Sequence, residues 1–97
     1  MELTEETIFD TIEEGNFIIL AYTSWCELCP PTMEKLEQLS EDSPNFTYAK
    51  FNLSDCPEAK EKFNIIGVPT VICTVGGIVK DMKSGFRDDY YELLENF

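Results

Sequence analysis

Apolar and polar residues follow one another in stretches that predict strands and helices in alternation. Runs of apolar and β-branched residues are typical of buried strands, and they occur at Phe17–Thr23, Phe46–Asn52 and Val68–Val75. Gly76 and Gly77 are expected to form a hairpin turn that leads into a fourth strand at Ile78–Lys83. Met1–Leu3 is expected to add a short strand at the edge of the sheet.

Four helices are predicted around these strands. They are a helix from Thr4 to Gly15, one from Pro30 to about Asp42, a short one opened by Asp55-Cys56-Pro57 and ending at Phe63, and a last one beginning at Asp88 and Asp89. Gly15 is expected to end the first helix. Spacings of three and four residues predict buried sides, formed by Met33, Leu36 and Leu39 in the second helix and by Tyr90, Leu93, Leu94 and Phe97 in the last.

The order of these elements predicts an α/β fold. Two strands that are joined through a helix are expected to run parallel, and the two strands of the hairpin antiparallel. A central mixed β-sheet flanked by helices on both faces follows. A chain of 97 residues has the length of one domain, so residues 1–97 are expected to form a single domain.

Two cysteines lie where the first buried strand gives way to a helix. Cys26 and Cys29 are separated by Glu27 and Leu28. At a helix N-terminus, the unpaired backbone N–H groups and the positive end of the helix dipole favour a thiolate. With two residues between them, the second thiol can attack a mixed disulfide formed on the first. The motif therefore predicts dithiol–disulfide exchange.

The formal net charge of −12 is large for a chain of this length. It argues against nucleic acid and anionic membranes as partners and favours a basic partner surface, although an acidic face exposed to solvent is the simpler explanation. No apolar run is long enough to cross a membrane, and the acidic N-terminus is unlike a signal peptide. The chain is therefore expected to be cytoplasmic, where a Cys-x-x-Cys pair indicates redox chemistry.

Several motifs together resemble the thioredoxin family. They are Trp25 directly before the Cys-x-x-Cys pair, Ala49-Lys50-Phe51-Asn52, Ile66-Gly67-Val68-Pro69-Thr70, and Gly76-Gly77 followed by Gly85. The resemblance covers nearly the whole chain and implies the thioredoxin fold. It also implies a cis peptide bond between Val68 and Pro69, which lies beside Cys26 and leaves the Val68 backbone free to pair with an extended substrate.

The resemblance implies a role for each residue of the site. Cys26 is the nucleophile, with a lowered thiol pKa, and Cys29 is the resolving thiol. Trp25, Val68 and Pro69 bind the substrate. The family reduces protein disulfides with electrons from a flavin- and NADPH-dependent reductase. The chain is accordingly expected to act as a monomer, with no bound cofactor or metal apart from the redox-active Cys26–Cys29 disulfide.

Two other functions remain open. One is a non-catalytic binding module that uses the groove between Trp25 and Pro69 as a docking surface. The other is an oxidant or isomerase of disulfides. The sequence departs from the family in ways that affect this choice, because Glu27 and Leu28 replace the usual Gly-Pro pair. The carboxylate of Glu27 opposes thiolate formation and favours a more reducing couple, while Leu28 widens the apolar contact surface.

A second departure concerns the proton of the resolving thiol. Members of the family carry a buried Asp six residues before the first cysteine, and Leu20 stands there in this chain. Lys50 matches the lysine that pairs with that Asp, and it either tunes the dithiol or is merely exposed. Without the buried acid, resolution of the mixed disulfide is expected to be slow.

Pro30 and Pro31 also replace the usual basic residue after Cys29, and either the helix starts nearer Leu28 or its first hydrogen bonds are lost.

The two remaining cysteines are expected to take no part in the exchange. Cys56 precedes Pro57 in a loop at the same edge of the sheet as the dithiol, where a regulatory thiol is the alternative. Cys73 lies inside an apolar strand and is expected to be an inert core residue. A four-cysteine zinc site is disfavoured because the chain has no histidine and only one Cys-x-x-Cys pair.

Overall fold

The computed structural model describes residues 1–95, and its elements follow the predicted order. The strands are β1 (Asn16–Tyr22), β2 (Thr47–Asn52), β3 (Thr70–Val75) and β4 (Ile78–Ser84). The helices are α1 (Ile8–Ile12), α2 (Cys29–Asp42) and α3 (Pro57–Lys62), with 3₁₀ helices at Leu53–Asp55 and Tyr90–Leu94.

The four strands form one mixed sheet in the order β2-β1-β3-β4. β1 runs parallel to β2 and antiparallel to β3, and the hairpin β3–β4 is antiparallel. The predicted parallel arrangement of helix-linked strands is therefore confirmed for β1 and β2 but wrong for β2 and β3. The connection that contains α3 leaves the sheet at the end of β2 and returns to it at that same end of the strands. It thereby brings the start of β3 beside the end of β1, where Thr70 pairs with Ala21.

Helices cover both faces of the sheet, as predicted. On one face, Ile8 and Ile12 of α1 and Ala59 of α3 belong to a buried cluster with alternate side chains of β1 and β2. On the other face, Leu36 of α2 and Leu93 of the last helix belong to a second cluster. The alternation of side chains along each strand divides the core into these two layers.

The first and last helices differ from their predictions. α1 has only five residues, because Thr4 and Thr7 form a turn in which their hydroxyl oxygens lie 2.9 Å apart. Gly15 does not end α1 with a left-handed φ, since the residue after the helix, Glu13, keeps a right-handed helical conformation. The last helix is a 3₁₀ helix over Tyr90–Leu94, and the predicted buried position of Phe97 lies outside the described residues.

The boundaries of the other elements lie close to the predicted ones. The hairpin turn is confirmed, because φ is +58° at Gly76 and +86° at Gly77, values that glycine adopts without strain. Met1–Leu3 forms a single parallel bridge, between Glu2 and Lys50, rather than a strand. In α2 the fully buried side chains are Cys29, Thr32 and Leu36, whereas the predicted Met33 and Leu39 are half-buried.

Candidate functional site

The two cysteines of the Cys-x-x-Cys pair differ in their access to solvent. They are joined by a disulfide, with their Cα atoms 5.4 Å apart. Cys29 is the first residue of α2 and is only 1% exposed, while Cys26, in the loop after β1, is half-buried. An attacking or attacked sulfur must be accessible, so Cys26 is the sulfur that a second molecule can reach.

The two prolines after Cys29 fit the first turn of α2. The helix begins at Cys29, after Leu28, and the oxygen of Leu28 accepts bonds from the Thr32 N–H at 3.2 Å and the Thr32 hydroxyl at 2.7 Å. N–H groups in the first turn have no partner within a helix, so Pro30 and Pro31 remove no helical bond. Of the two possibilities that the prolines raised, the structure shows the earlier start of the helix.

The Val68–Pro69 peptide bond is cis, the isomer that the resemblance implies. The strand β3 starts at Thr70 rather than at the predicted Val68, because Val68 and Pro69 pair with neither β1 nor β4. The Thr70 hydroxyl donates to the Gly67 oxygen at 2.6 Å and closes the loop. Within residues 1–95, the backbone of Val68 has no hydrogen-bond partner.

A chain of hydrogen bonds connects the last helix to Pro69. The Gly85 N–H donates to the Pro69 oxygen at 2.8 Å, and the hydroxyl of the buried Tyr90 donates to the Gly85 oxygen at 2.6 Å. The same hydroxyl accepts from the Arg87 N–H at 3.2 Å. The spacing of Tyr90 in the sequence predicted its burial but not this hydrogen bond. The available signal was the hydroxyl itself, because a buried tyrosine usually finds a hydrogen-bond partner.

Apolar side chains are exposed on the loops that carry Cys26 and Pro69. The exposed fractions are 74% for Trp25, 49% for Leu28 and 98% for Ile66. Large apolar side chains left exposed to water are typical of a protein-binding surface when they form a patch. This role was predicted for Trp25 and Leu28, whereas Ile66 entered the prediction only as part of a motif.

Position 20, where the resemblance implies a buried carboxylate, holds a leucine. Leu20 is fully buried on the sheet face that α2 covers, opposite Lys50 in the parallel register of β1 and β2. Among residues 1–95, no Asp or Glu side chain is buried. This part of the chain therefore offers no buried carboxylate to accept a proton from Cys29.

Lys50 is held by several groups and is not simply a solvent-exposed lysine. Its Nζ lies 4.0 Å from a carboxylate oxygen of Glu2 and 4.0 Å from the sulfur of Met33 in α2. It also lies 5.5 Å from the centroid of the Tyr22 ring. The Tyr22 hydroxyl donates to Glu2 at 2.8 Å. Burial and this bond to Glu2 raise the pKa of Tyr22 to about 12.

The other two cysteines are free thiols buried in the core. Burial, and secondarily the charge of Asp81, raises the pKa of Cys73 to about 11. Burial also raises the pKa of Cys56, with smaller contributions from Glu5 and Asp55. Both sulfurs are at most 1% exposed. They therefore lack the thiolate character and the access that thiol exchange requires.

Alkylation is expected to separate the four thiols into two classes. After reduction, the accessible thiol of Cys26 should react with iodoacetamide at pH 8, and the buried thiols of Cys29, Cys56 and Cys73 at least ~100-fold more slowly, because burial restricts access of the reagent. The reaction of Cys73 should accelerate as the pH rises towards 11, since its thiolate gains population near its raised pKa. Peptide mapping by mass spectrometry measures each rate. Equal reaction rates at Cys26 and Cys56 would contradict the burial described above.

Residues 1–95 contain no group of three or more His, Cys, Asp or Glu side chains arranged to hold a metal ion. No helix within the same residues is long and apolar enough to cross a membrane.

Comparison with known proteins points to a single family. The family model described as Thioredoxin matches residues 1–95. The chain is 28% identical over 97 residues to the thioredoxin of Mycoplasmoides gallisepticum, an alignment that covers 96% of this chain and 97% of that protein. It is also 28% identical over 80 residues to the bifunctional thioredoxin reductase/thioredoxin of Mycobacterium leprae, covering 79% of this chain and 18% of that protein.

A solved structure supports the fold. A variant thioredoxin from Halobacterium salinarum superposes with a TM-score of 0.84 at 18% sequence identity, covering 96% of this chain and 83% of the other. At this identity the likeness concerns the fold alone, and it agrees with the mixed sheet and two helical layers described above.

Proposed function

This chain belongs to the thioredoxin family and is a thiol–disulfide oxidoreductase, and we propose that it acts as a reductase of disulfides in other proteins. The observation that carries the proposal is the difference in burial between its two sulfurs. Cys26 is accessible to a second molecule and Cys29 is not. This is the arrangement that a two-step exchange needs, with one thiol for attack and one for resolution.

The proposed reaction moves two electrons from the dithiol to the client. The thiolate of Cys26 attacks one sulfur of the client disulfide, forming a mixed disulfide and releasing the first client thiolate, which takes up a proton. Cys29 loses its proton and attacks the Cys26 sulfur. The second client thiolate leaves and is protonated in turn, and the chain is left with the Cys26–Cys29 disulfide that the structure contains.

The client is proposed to bind as an extended segment beside Pro69. The unpaired backbone groups of Val68 would form hydrogen bonds with the client's main chain, as when a strand is added to a sheet edge. Trp25 and Leu28 would supply apolar contacts. The bond from Gly85 to Pro69, itself supported by Tyr90, would hold this loop in place while the client binds.

The remaining site residues are proposed to adjust the dithiol. Glu27 is exposed next to Cys26, so its charge would disfavour the thiolate and make the couple more reducing. Lys50 would contribute a positive charge one helical turn from Cys29, since it lies at Met33 on α2. The proposed reaction uses no bound cofactor or metal.

The oxidised dithiol has to be reduced again before the next cycle. The relative in Mycobacterium leprae carries a thioredoxin reductase in the same polypeptide, which supports a reductase of that kind as the electron donor. We propose that such a donor serves this chain in the cytoplasm, where clients would be disulfide-bearing proteins and the chain would act as a monomer.

Reduction of insulin, with dithiothreitol as the electron source, tests the proposal. The wild-type chain should speed the reduction, which is followed by the turbidity of the released insulin B chain. Cys26→Ser should reduce no faster than dithiothreitol alone. Cys56→Ala, which removes a buried thiol outside the site, is the matched control and should keep the wild-type rate.

A redox titration against glutathione separates the reductase from an oxidant or isomerase. A reductase requires a Cys26–Cys29 couple at or below the cytosolic poise, roughly −220 mV or lower. A potential near that of a strong oxidant, about −120 mV, would contradict the proposal. If the wild-type chain reduced insulin no faster than dithiothreitol alone, the chain would instead be a module that only binds its partners.

A further inference from the structure

A groove runs between α2 and the segment that follows β4. It has a volume of about 580 Å³, and its lining includes Pro31, Glu34 and Leu39 on one wall and Phe86, Tyr90 and Tyr91 on the other. The side chains of Phe86 and Tyr91 are 41% and 53% exposed. A cleft of a few hundred Å³ with aromatic walls is typical of a binding site.

The groove already holds one cation, which comes from the chain itself. Nζ of Lys35 lies 5.2 Å from the centroid of the Phe86 ring and forms an ion pair with Asp88. An aromatic face and a carboxylate thus share a single positive charge, the arrangement expected for a cation–π contact beside an acid. The walls of the groove are therefore suited to positive side chains.

Two further carboxylates at the groove have no such partner. Neither Glu34 nor Asp42 forms an ion pair with a cation in residues 1–95. Glu37 and Glu41, on the same helix, are also exposed, and the whole chain carries a formal charge of −12. The resulting negative potential attracts cations and repels acidic partners.

The groove is continuous with the dithiol end of α2. Pro31 lies two residues after Cys29, and Glu34 and Asp42 lie five and thirteen residues after Cys29. With a rise of about 1.5 Å per residue, these two acids lie about 8 and 20 Å along the helix from Cys29. An extended peptide spans about 3.3 Å per residue, so a segment bound at Cys26 reaches them within roughly two to six residues of its own cysteine.

From these features we propose that the groove binds an arginine-bearing, otherwise apolar segment next to the reactive cysteine of the partner protein. Arginine fits because its guanidinium stacks on an aromatic face and donates paired hydrogen bonds to a carboxylate. The exposed ring of Tyr91 provides the face, and Glu34 provides the carboxylate. The inference rests on the proposed function, since it specifies the chemistry of the partner that the dithiol serves.

Two synthetic peptides that differ only in charge test the groove. Each carries a fluorophore and a serine in place of the reactive cysteine, followed by Leu-Arg-Leu-Arg-Leu-Arg in one and Leu-Glu-Leu-Glu-Leu-Glu in the other. Fluorescence anisotropy measures their binding to the oxidised chain at low salt. The arginine peptide should bind about tenfold or more tightly than the glutamate peptide, and the ratio should approach one in high salt because the attraction is electrostatic.

Three variants locate the binding on the molecule. Glu34→Lys should weaken binding of the arginine peptide about tenfold, and Tyr91→Ala about threefold without any change in net charge. Asp10→Lys makes the same charge change as Glu34→Lys on α1, which packs on the opposite face of the sheet. It should therefore weaken binding less than twofold.

Equal affinities of the wild type for the two peptides would overturn the proposal. So would equal losses in Glu34→Lys and Asp10→Lys, because net charge alone would then explain the binding. Sedimentation could also show that the wild-type chain is a dimer and that Glu34→Lys is a monomer. A second copy of the chain would then occupy the groove, and this result too would overturn the proposal. The binding assay is independent of the dithiol, so a chain that prefers the arginine peptide but cannot reduce insulin contradicts the proposed function alone.

Discussion

Cys29→Ser is expected to stop turnover and to trap the client on Cys26. The variant keeps the accessible thiol and can form the mixed disulfide. It lacks the sulfur that would resolve this intermediate, and a serine hydroxyl does not replace it. Cys56 and Cys73 are buried away from solvent and cannot substitute. Catalysed reduction of insulin should fall by roughly 10³-fold or more.

Intact-protein mass spectrometry detects the trapped species. A disulfide-bonded peptide client should add the mass of one of its chains to Cys29→Ser, and dithiothreitol should release it. Cys26→Ser is the matched control and should accumulate no adduct, because its remaining dithiol cysteine is only 1% exposed. An adduct of equal yield in both variants would show that either cysteine can attack the client, and it would contradict the assigned roles.

Leu20→Asp is expected to accelerate resolution of the mixed disulfide. The substitution places a carboxyl group on the sheet face that α2 covers, where residues 1–95 contain no buried acid. A positioned general base contributes about 10²-fold or more to a step limited by proton transfer. The release of the second client thiol, followed by rapid quenching and alkylation, should therefore become faster by roughly this factor.

The same substitution has a cost in stability and a defined pH dependence. Leu20 is fully buried, so introducing a polar group there should lower the free energy of unfolding by about 3 kcal/mol. Burial raises the pKa of a carboxyl group. The added rate should accordingly be present at high pH, where the group is ionised, and should be lost as the pH falls through that raised pKa.

Leu20→Asn controls for the change in packing. It has nearly the same size and polarity as the Asp variant but no basic group, so urea titration should show a similar loss of stability without any faster resolution. The idea fails if Leu20→Asp resolves the mixed disulfide at the wild-type rate, or if Leu20→Asn accelerates it equally. In the first case another group, such as water or Glu27, already accepts the proton efficiently.

The local chemistry of the site could be predicted from the sequence. A buried strand, two cysteines with two residues between them and a helix opened by prolines place Cys26 before Cys29 at a helix start, because each of these signals acts over a few residues. The hairpin at Gly76 and Gly77 was equally predictable, since a tight turn with positive φ needs glycine.

Contacts between distant parts of the chain could not be predicted in this way. Nothing near β3 in the sequence shows that it runs antiparallel to β2, because its direction depends on pairing with β1, whose partner residues lie 49 to 59 positions away. The same holds for the hydrogen bonds that link Pro69 to Gly85 and Gly85 to Tyr90, and for the ion pair between Lys50 and Glu2. These contacts join segments that meet only after the sheet has formed.

The sequence by itself thus determined the reactive dithiol, the order of the elements and the turn residues, all of which rest on local periodicity and backbone preference. Only the tertiary structure decided which sulfur is accessible, which side chains hold the Pro69 loop, and that α2 borders an acidic, aromatic groove. Burial and electrostatic potential are properties of the assembled chain, because each depends on atoms contributed by several elements at once.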